Sequence, residues 1–207
     1  SGRPVTELIL ERLPATLSLA FGAIVVALLI AIPLGLVSAL RPRSFVDYVA
    51  TFVSQAGISI PDFWLAIVAI LVFSLTLGWL PSSGYVGLTE DPVEWARHLV
   101  LPAVVVGTVS GAVLTRFVRS SALEALGEDY TRTARAKGLP RLVVIGRHVL
   151  RNALVPVVTV TGIQLAYLLS GVVIVEVVFA WQGLGQLALQ AVETRDYPLL
   201  QGAVLLF

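Results

Sequence analysis

LPATLSLAFGAIVVALLIAIPLGLVSALRPR, residues 13–43, decides what kind of solvent surrounds this chain. From Leu13 to Leu40 it carries no charged side chain. At about 1.5 Å per helical residue such a run exceeds the roughly 30 Å of a bilayer's hydrocarbon core. Arg41, Pro42 and Arg43 close it. Pro14 suits a first helical turn, where a missing N–H costs nothing, and Pro33 lies deep enough to kink the span.

The rest of the chain repeats this pattern. Of its 207 residues 57% are hydrophobic and 13% charged, where a soluble domain has about 25% charged. Mean hydropathy is +0.91. A second apolar run covers residues 45–80, with GISIPDFW in its middle; Gly57, Pro61 and Asp62 predict a bent or broken helix. PSSGYVGLTEDPVEWARH, residues 81–98, is turn-rich and holds Tyr85 and Trp95, as in a loop with interfacial aromatics. Spans are expected over 99–118 and 153–180, then a short amphipathic or re-entrant piece, WQGLGQLALQAVETRDYP, residues 181–198. The chain starts at Ser1 without methionine and stops at Phe207 inside the apolar run YPLLQGAVLLF. The expected fold is therefore all-α, a polytopic transmembrane helix bundle forming one domain over residues 1–207, as a fragment lacking its first span and most of its last. With no cysteine, disulfides, thiolate zinc sites and thiol nucleophiles are excluded.

Charge is distributed unevenly. Residues 116–151, RFVRSSALEALGEDYTRTARAKGLPRLVVIGRHVLR, hold eight Lys/Arg against Glu124, Glu128 and Asp129. With Arg41 and Arg43 they make ten basic residues on one side, against Arg3, Arg12, Arg97 and Arg195 on the other. By the positive-inside rule the basic segment is cytoplasmic and the 81–98 loop external. Basic loops also arise from orientation and anionic-lipid attraction alone. Here, however, the punctuation is ordered. SSALEALGEDYTRTARAKG reads as a helix ending at Lys137-Gly138, Gly138-Leu139-Pro140 as a break, and LVVIGRHVLRNALVP as a second amphipathic helix. A small-residue turn, Ala134 to Gly138, flanked by arginines lets a partner approach closely while offering multidentate donors.

Other features carry less. Glu176 lies in an apolar run, a functional hypothesis by default; counting from Pro156 places it near the outer interface, as a structural or gating contact rather than a midplane proton relay. Asp62 after Pro61 fits a helix start, with a substrate path as the alternative. Gln55, Ser59, Ser110, Thr115, Gln164 and Ser170 fit interhelical hydrogen bonds better than ligand contacts. Gln55, Ser59, Asp62 and Glu176 are the candidate pathway or gate residues. Gly183-Leu184-Gly185-Gln186-Leu187-Ala188 matches G-x-G-x-x-A but follows a span, not a strand, and reads as a turn and helix start. His98 and His148 lack metal-ligand spacing. No catalytic, cofactor or metal set emerges, so an enzyme is the weakest class; an ion channel or secondary carrier is an alternative that needs midplane charges or paired broken helices, at which only the Gly57–Asp62 break hints.

DYTRTARAKGLPRLVVIGRHVLRNALVPVV, residues 129–158, resembles the cytoplasmic loop of inner-membrane permease subunits of ABC importers, in the dipeptide, oligopeptide and nickel branch. That loop's Glu-Ala-Ala motif, followed four residues later by Gly, is matched by Arg132, Thr133, Ala134 and Gly138, with arginine in place of glutamate. GRPVTELILERLPATLSLA, RSFVDYV, SIPDFWLA and VVIVEVVFAWQGLGQL are similar to family segments, the last with Gln182 where the family usually has proline. The resemblance implies a type I importer permease whose residues 116–151 form a coupling loop. Arg132, Thr133, Ala134, Arg135, Ala136, Lys137, Gly138 and Leu139 would dock a cytoplasmic ATP-binding subunit. It further implies ATP on that partner, a homologous second permease subunit, an extracytoplasmic solute-binding protein, and a bacterial or archaeal cytoplasmic membrane, with nucleic acid absent from the partners. The sequence agrees in having no G-x-x-x-x-G-K-[ST] phosphate loop; Lys137 is its one lysine.

Overall fold

The computed structural model describes residues 4–169 and 172–205. Arg3 and Ser170, both used in the sequence reading, lie outside the described residues. Among the described residues the fold is all-α: α1 (Val5–Leu40), α2 (Phe45–Ser59), α3 (Asp62–Ala69), α4 (Pro92–Gly127), α5 (Asp129–Ala136), α6 (Arg141–Val143), α7 (Arg151–Leu169), α8 (Val173–Val178), α9 (Leu184–Glu193) and α10 (Tyr197–Val204). Widened helical turns extend α3 through Ile70–Thr76 and join α6 to α7 through Val144–Leu150. Among the described residues three helical runs are long and apolar enough to cross a membrane: Val5–Leu40, Pro92–Gly127 and Arg141–Leu169, with the broken pair α2 and α3 as a fourth candidate.

Helices outrun the sequence expectation at several ends. α1 starts at Val5, where the Pro4 carbonyl accepts the Glu7 and Leu8 N–H groups, so Pro14 sits inside the helix and not in its first turn. The extension is held by packing: Val5, Leu8, Ile9 and Leu13 join Leu184, Leu187, Ala191 and Leu199. α4 likewise begins within the expected loop, at Pro92, where Asp91 Oδ1 accepts the N–H groups of Val93 and Glu94 and caps the helix. Gly57 lies within α2, and the interruption falls at Ser59–Pro61 instead. Pro61 (ψ 137°) cannot continue a helix and begins the next. The expected span over 153–180 is a helical run from Arg141 to Leu169 with α8 as a separate short helix.

The chain divides into two compact units. One is built from residues 26–59 and 108–164. In it Ala27, Ala31, Gly35 and Ala39 recur every fourth residue on α1, the spacing that puts small side chains on one helix face. A Cβ on Gly35 would lie 2.7 Å from Val118 and 2.8 Å from the Thr115 carbonyl oxygen. Only glycine permits that approach of α1 to α4. Leu114, Val118 and Val157 fill the rest of this core. Lipid tails are as apolar as leucine, so such close van der Waals packing holds membrane helices together.

The other unit comprises residues up to Val25, Ile60–Gly107 and those from Leu165 onward. Its core contains Ala15, Leu19, Leu99, Ala103 and Trp181. Trp181 is fully buried, donates from Nε1 to the Ala15 carbonyl at 2.8 Å, and meets the Tyr85 ring edge-on at 4.8 Å. Gly84 N–H donates to the Phe179 carbonyl at 2.8 Å, tying the 81–91 loop to the end of α8.

Candidate functional site

The basic segment is not one helix up to Gly138. α4 carries on to Gly127, and Glu128, extended at φ −69° and ψ 149°, interrupts it. Its carbonyl accepts the N–H groups of Thr131 and Arg132 at 3.1 and 3.2 Å, opening α5. The last four carbonyls of a helix lack intrahelical partners, and Thr131 Oγ1 supplies one by donating to Ala125 O at 2.7 Å. That bond draws α5 against the end of α4 and explains why the expected continuous helix breaks.

α5 then shows two faces. Thr131 and Ala134, three residues apart, are its buried positions. Ala134 packs with Ala122, Ala125, Val144, Val149 and Ala153. Arg132, Thr133, Arg135, Ala136, Lys137, Gly138 and Leu139 are exposed. Arg132 approaches Asp129 at 3.5 Å with both side chains in solvent, an arrangement that contributes little. Asp129 in the first turn and Arg135 in the last complement the helix dipole.

The end of α5 has defined geometry. Gly138 is left-handed (φ 74°), its N–H donates to Arg135 O at 2.9 Å, and Leu139 N–H donates to Ala134 O at 3.3 Å. This is a Schellman cap with glycine at the position where a Cβ is penalised. The expected Ala134–Gly138 turn is thus the last helical turn plus its cap. Pro140 (ψ 141°) opens α6 at once. Beside the cap lies a groove of about 590 Å³ whose lining includes Leu123, Leu126, Arg135, Leu139, Arg141 and Val144.

Of the candidate pathway residues, Gln55 and Ser59 belong to one unit and Asp62 and Glu176 to the other. Ser59 Oγ donates to Gln55 O at 2.9 Å, and Thr115 Oγ1 to Gly111 O at 2.7 Å. These hydroxyls bond back to their own helices instead of forming interhelical links. Asp62 sits half-buried in the first turn of α3. Glu176 is 1% exposed. Its Oε1 accepts from Thr16 Oγ1 at 3.1 Å and its Oε2 from Gln186 N–H at 2.9 Å, while Thr16 Oγ1 accepts from Leu184 N–H at 2.8 Å. The carboxylate therefore sits on the N-terminus of α9, where free N–H groups favour an anion. A Cβ on Gly183 would collide with it. Gln182, the departure from the resembled pattern, accepts from Arg12 Nη1 at 2.8 Å.

Sequence reasoning passed over the tightest polar contact. Arg119 grips Asp47 through two of its guanidinium nitrogens, Nε to Oδ1 at 2.7 Å and Nη2 to Oδ2 at 2.8 Å. Ser38 Oγ also donates to Oδ1, and Arg43 N–H to Oδ2 at 2.9 Å. Asp47 is 4% exposed. One carboxylate so joins the end of α1, the start of α2 and the later part of α4. Arg119 at the end of an apolar run was the available signal, whereas its partner 72 positions away has no local signature.

Comparison with known proteins adds to this geometry. Residues 31–207 match the family described as binding-protein-dependent transport system inner membrane component. The chain is 46% identical to the oligopeptide transport system permease protein AppB of Bacillus subtilis (strain 168), over 96% of its own length and 64% of that protein. It is 41% identical to the dipeptide transport system permease protein DppB of Escherichia coli (strain K12), over 98% of its length and 67% of that protein. It therefore spans about two thirds of the length of such relatives. Among solved structures, inward-facing MetNI methionine ABC transporter superposes with a TM-score of 0.71 at 21% identity, covering 100% of this chain and 90% of the other. An amino acid ABC transporter with histidines gives 0.65 at 16%, covering 97% and 85%. At those identities the likeness is one of fold.

Proposed function

The chain belongs to the binding-protein-dependent transport system inner membrane components, and on that premise we propose that it is a permease subunit of an ATP-driven importer of peptides or a related small solute, nickel included. It is a transport subunit of a bacterial or archaeal cytoplasmic membrane, and ATP hydrolysis belongs to a separate ATP-binding subunit. A homologous second permease subunit and an extracytoplasmic solute-binding protein complete the assembly. Gln55, Ser59 and Asp62 are its candidate pathway residues. Glu176 acts through the α9 clamp, as a structural or gating contact.

The observation that carries this reading is the two-faced α5. Its inner face is fastened by Thr131 and Ala134 to α4 and to the Val144–Leu150 turn. Its outer face and cap present Arg132, Thr133, Arg135, Lys137, Gly138 and Leu139. Guanidinium groups offer forked donors suited to carboxylates and carbonyls of a docked protein. A push on α5 cannot be absorbed by a loose loop. It passes to α4 through the Thr131 bond and to the helical run starting at Arg141 through the short Gly138–Pro140 connection, as rigid-body motion of packed elements requires.

Replacing Ala134–Gly138 with a flexible linker of equal length in the full-length chain tests the role. Copurification with the ATP-binding subunits and substrate-stimulated ATP hydrolysis should both be lost while membrane insertion persists. Retention of both in the linker variant overturns the coupling role.

A further inference from the structure

Beside the Asp47 ion pair lies a cavity of about 370 Å³, and its lining includes Arg43, Tyr48, Thr51, Ser54, Thr115 and Arg116. Its chemistry is lopsided. Arg119 and the hydrogen bonds from Ser38 and the Arg43 backbone already satisfy Asp47. Arg43 and Arg116 line the same space and form no ion pair among the described residues. The Ser54 and Thr115 hydroxyls already donate to the Ala50 and Gly111 carbonyls, so two unneutralised cations beside the Thr51 hydroxyl and the Tyr48 phenol are what attract an anion.

Arg43 is also held in place. Its backbone is left-handed (φ 59°), uncommon for a residue with a Cβ, and its N–H is fixed to Asp47 Oδ2. The ion pair that joins three helices therefore also sets the loop from which the Arg43 side chain projects.

A second, apolar groove of about 210 Å³ adjoins this cavity. Leu34, Phe45, Val46, Val49 and Val53 line it, and Ala50 lines both spaces. Cationic cavity and hydrocarbon groove thus meet on one stretch of α2. Charge complementarity and this junction together fit an amphiphile with an anionic head and an acyl tail, which a bilayer supplies to any membrane helix.

We propose that Arg43 and Arg116 bind the headgroup of an anionic phospholipid whose acyl chain lies along Leu34, Phe45, Val49 and Val53 of α1 and α2. The lipid would brace the α1–α2 connection against α4. This site is independent of the coupling role of α5.

The test uses the full-length chain purified with its partner subunits and placed in phosphatidylcholine nanodiscs containing a photoactivatable phosphatidylglycerol. Labelling of the parent protein should concentrate on residues 45–53 and exceed that by photoactivatable phosphatidylcholine. Arg43→Gln with Arg116→Gln should lower it by about tenfold, the loss of charge-assisted bonds, while the charge-matched pair Arg147→Gln with Arg151→Gln keeps it. Equal labelling by phosphatidylcholine, or no label on residues 45–53, overturns the site without any variant. An equal drop in the matched pair overturns it as non-specific charge. Displacement of the label by inorganic phosphate overturns the lipid in favour of a small anion, and a protein segment found cross-linked over the groove overturns it in favour of a subunit contact.

Discussion

Asp47 and Glu176 are both buried carboxylates in a membrane protein, yet their surroundings solve the burial problem differently. Asp47 meets a guanidinium in a two-point contact, so a full positive charge offsets its own. Among the described residues no cation pairs with Glu176; a hydroxyl and the N–H groups opening α9 satisfy it. Burying an ion demands a paired charge or several aligned dipoles. The first solution ties three helices together at one point, and the second fastens a short helix by its N-terminus. Removing one partner should hence hurt the two sites unequally.

The largest effect is expected at the ion pair. Asp47→Asn leaves Arg119 half-buried without its counter-charge and should cost about 3 kcal/mol or more, read from sodium dodecyl sulfate titration of the full-length chain. Combining Asp47→Leu with Arg119→Leu should cost less than the two single changes summed, because no lone charge then remains. Glu176→Gln keeps an acceptor toward Thr16 and should cost about 1–2 kcal/mol in the same titration. If it matches Asp47→Asn, the distinction between charge pairing and dipole pairing fails.

Gly183→Ala sharpens the contrast from the other side, since its Cβ would strike the Glu176 carboxylate. A loss of about 1–3 kcal/mol is expected from overpacking, with faster amide hydrogen exchange confined to α8 and α9. Exchange spreading evenly over the chain would mean that the clamp does not act locally.

The remaining effects belong to α5. Gly138→Val has open space for its side chain, so its cost of about 1–2 kcal/mol comes from the left-handed backbone alone. It should weaken copurification with the proposed ATP-binding subunits while membrane insertion stays normal. Thr131→Val removes one hydrogen bond of about 1 kcal/mol. It should raise hydrogen exchange in α5 and lower substrate-stimulated ATP hydrolysis more than ATPase binding.

Much of the fold was legible because its signals are local. The uncharged run 13–40 required a membrane helix, and Pro61 required the break between α2 and α3. Gly138 after Lys137 announced the cap. Helix ends were less legible: Val5–Arg12 and Pro92–His98 read as lying outside the spans, yet they are helical where distant side chains and the Asp91 cap hold them. The break at Glu128 was missed because its cause, Thr131 reaching back to Ala125, is a contact and not a composition.

By itself, then, the sequence determined the solvent, the all-α class, the basic segment and the resemblance that named a family. Those depend on hydrophobicity, backbone propensity and charge order, which act over a few residues. Tertiary structure alone decided which carboxylate meets which donor: Asp47 with Arg119, and Glu176 with Thr16 and the start of α9. Pairings across 72 and 160 positions follow from how the helices pack, and in a low-dielectric surrounding it is that packing which gives each buried charge its partner.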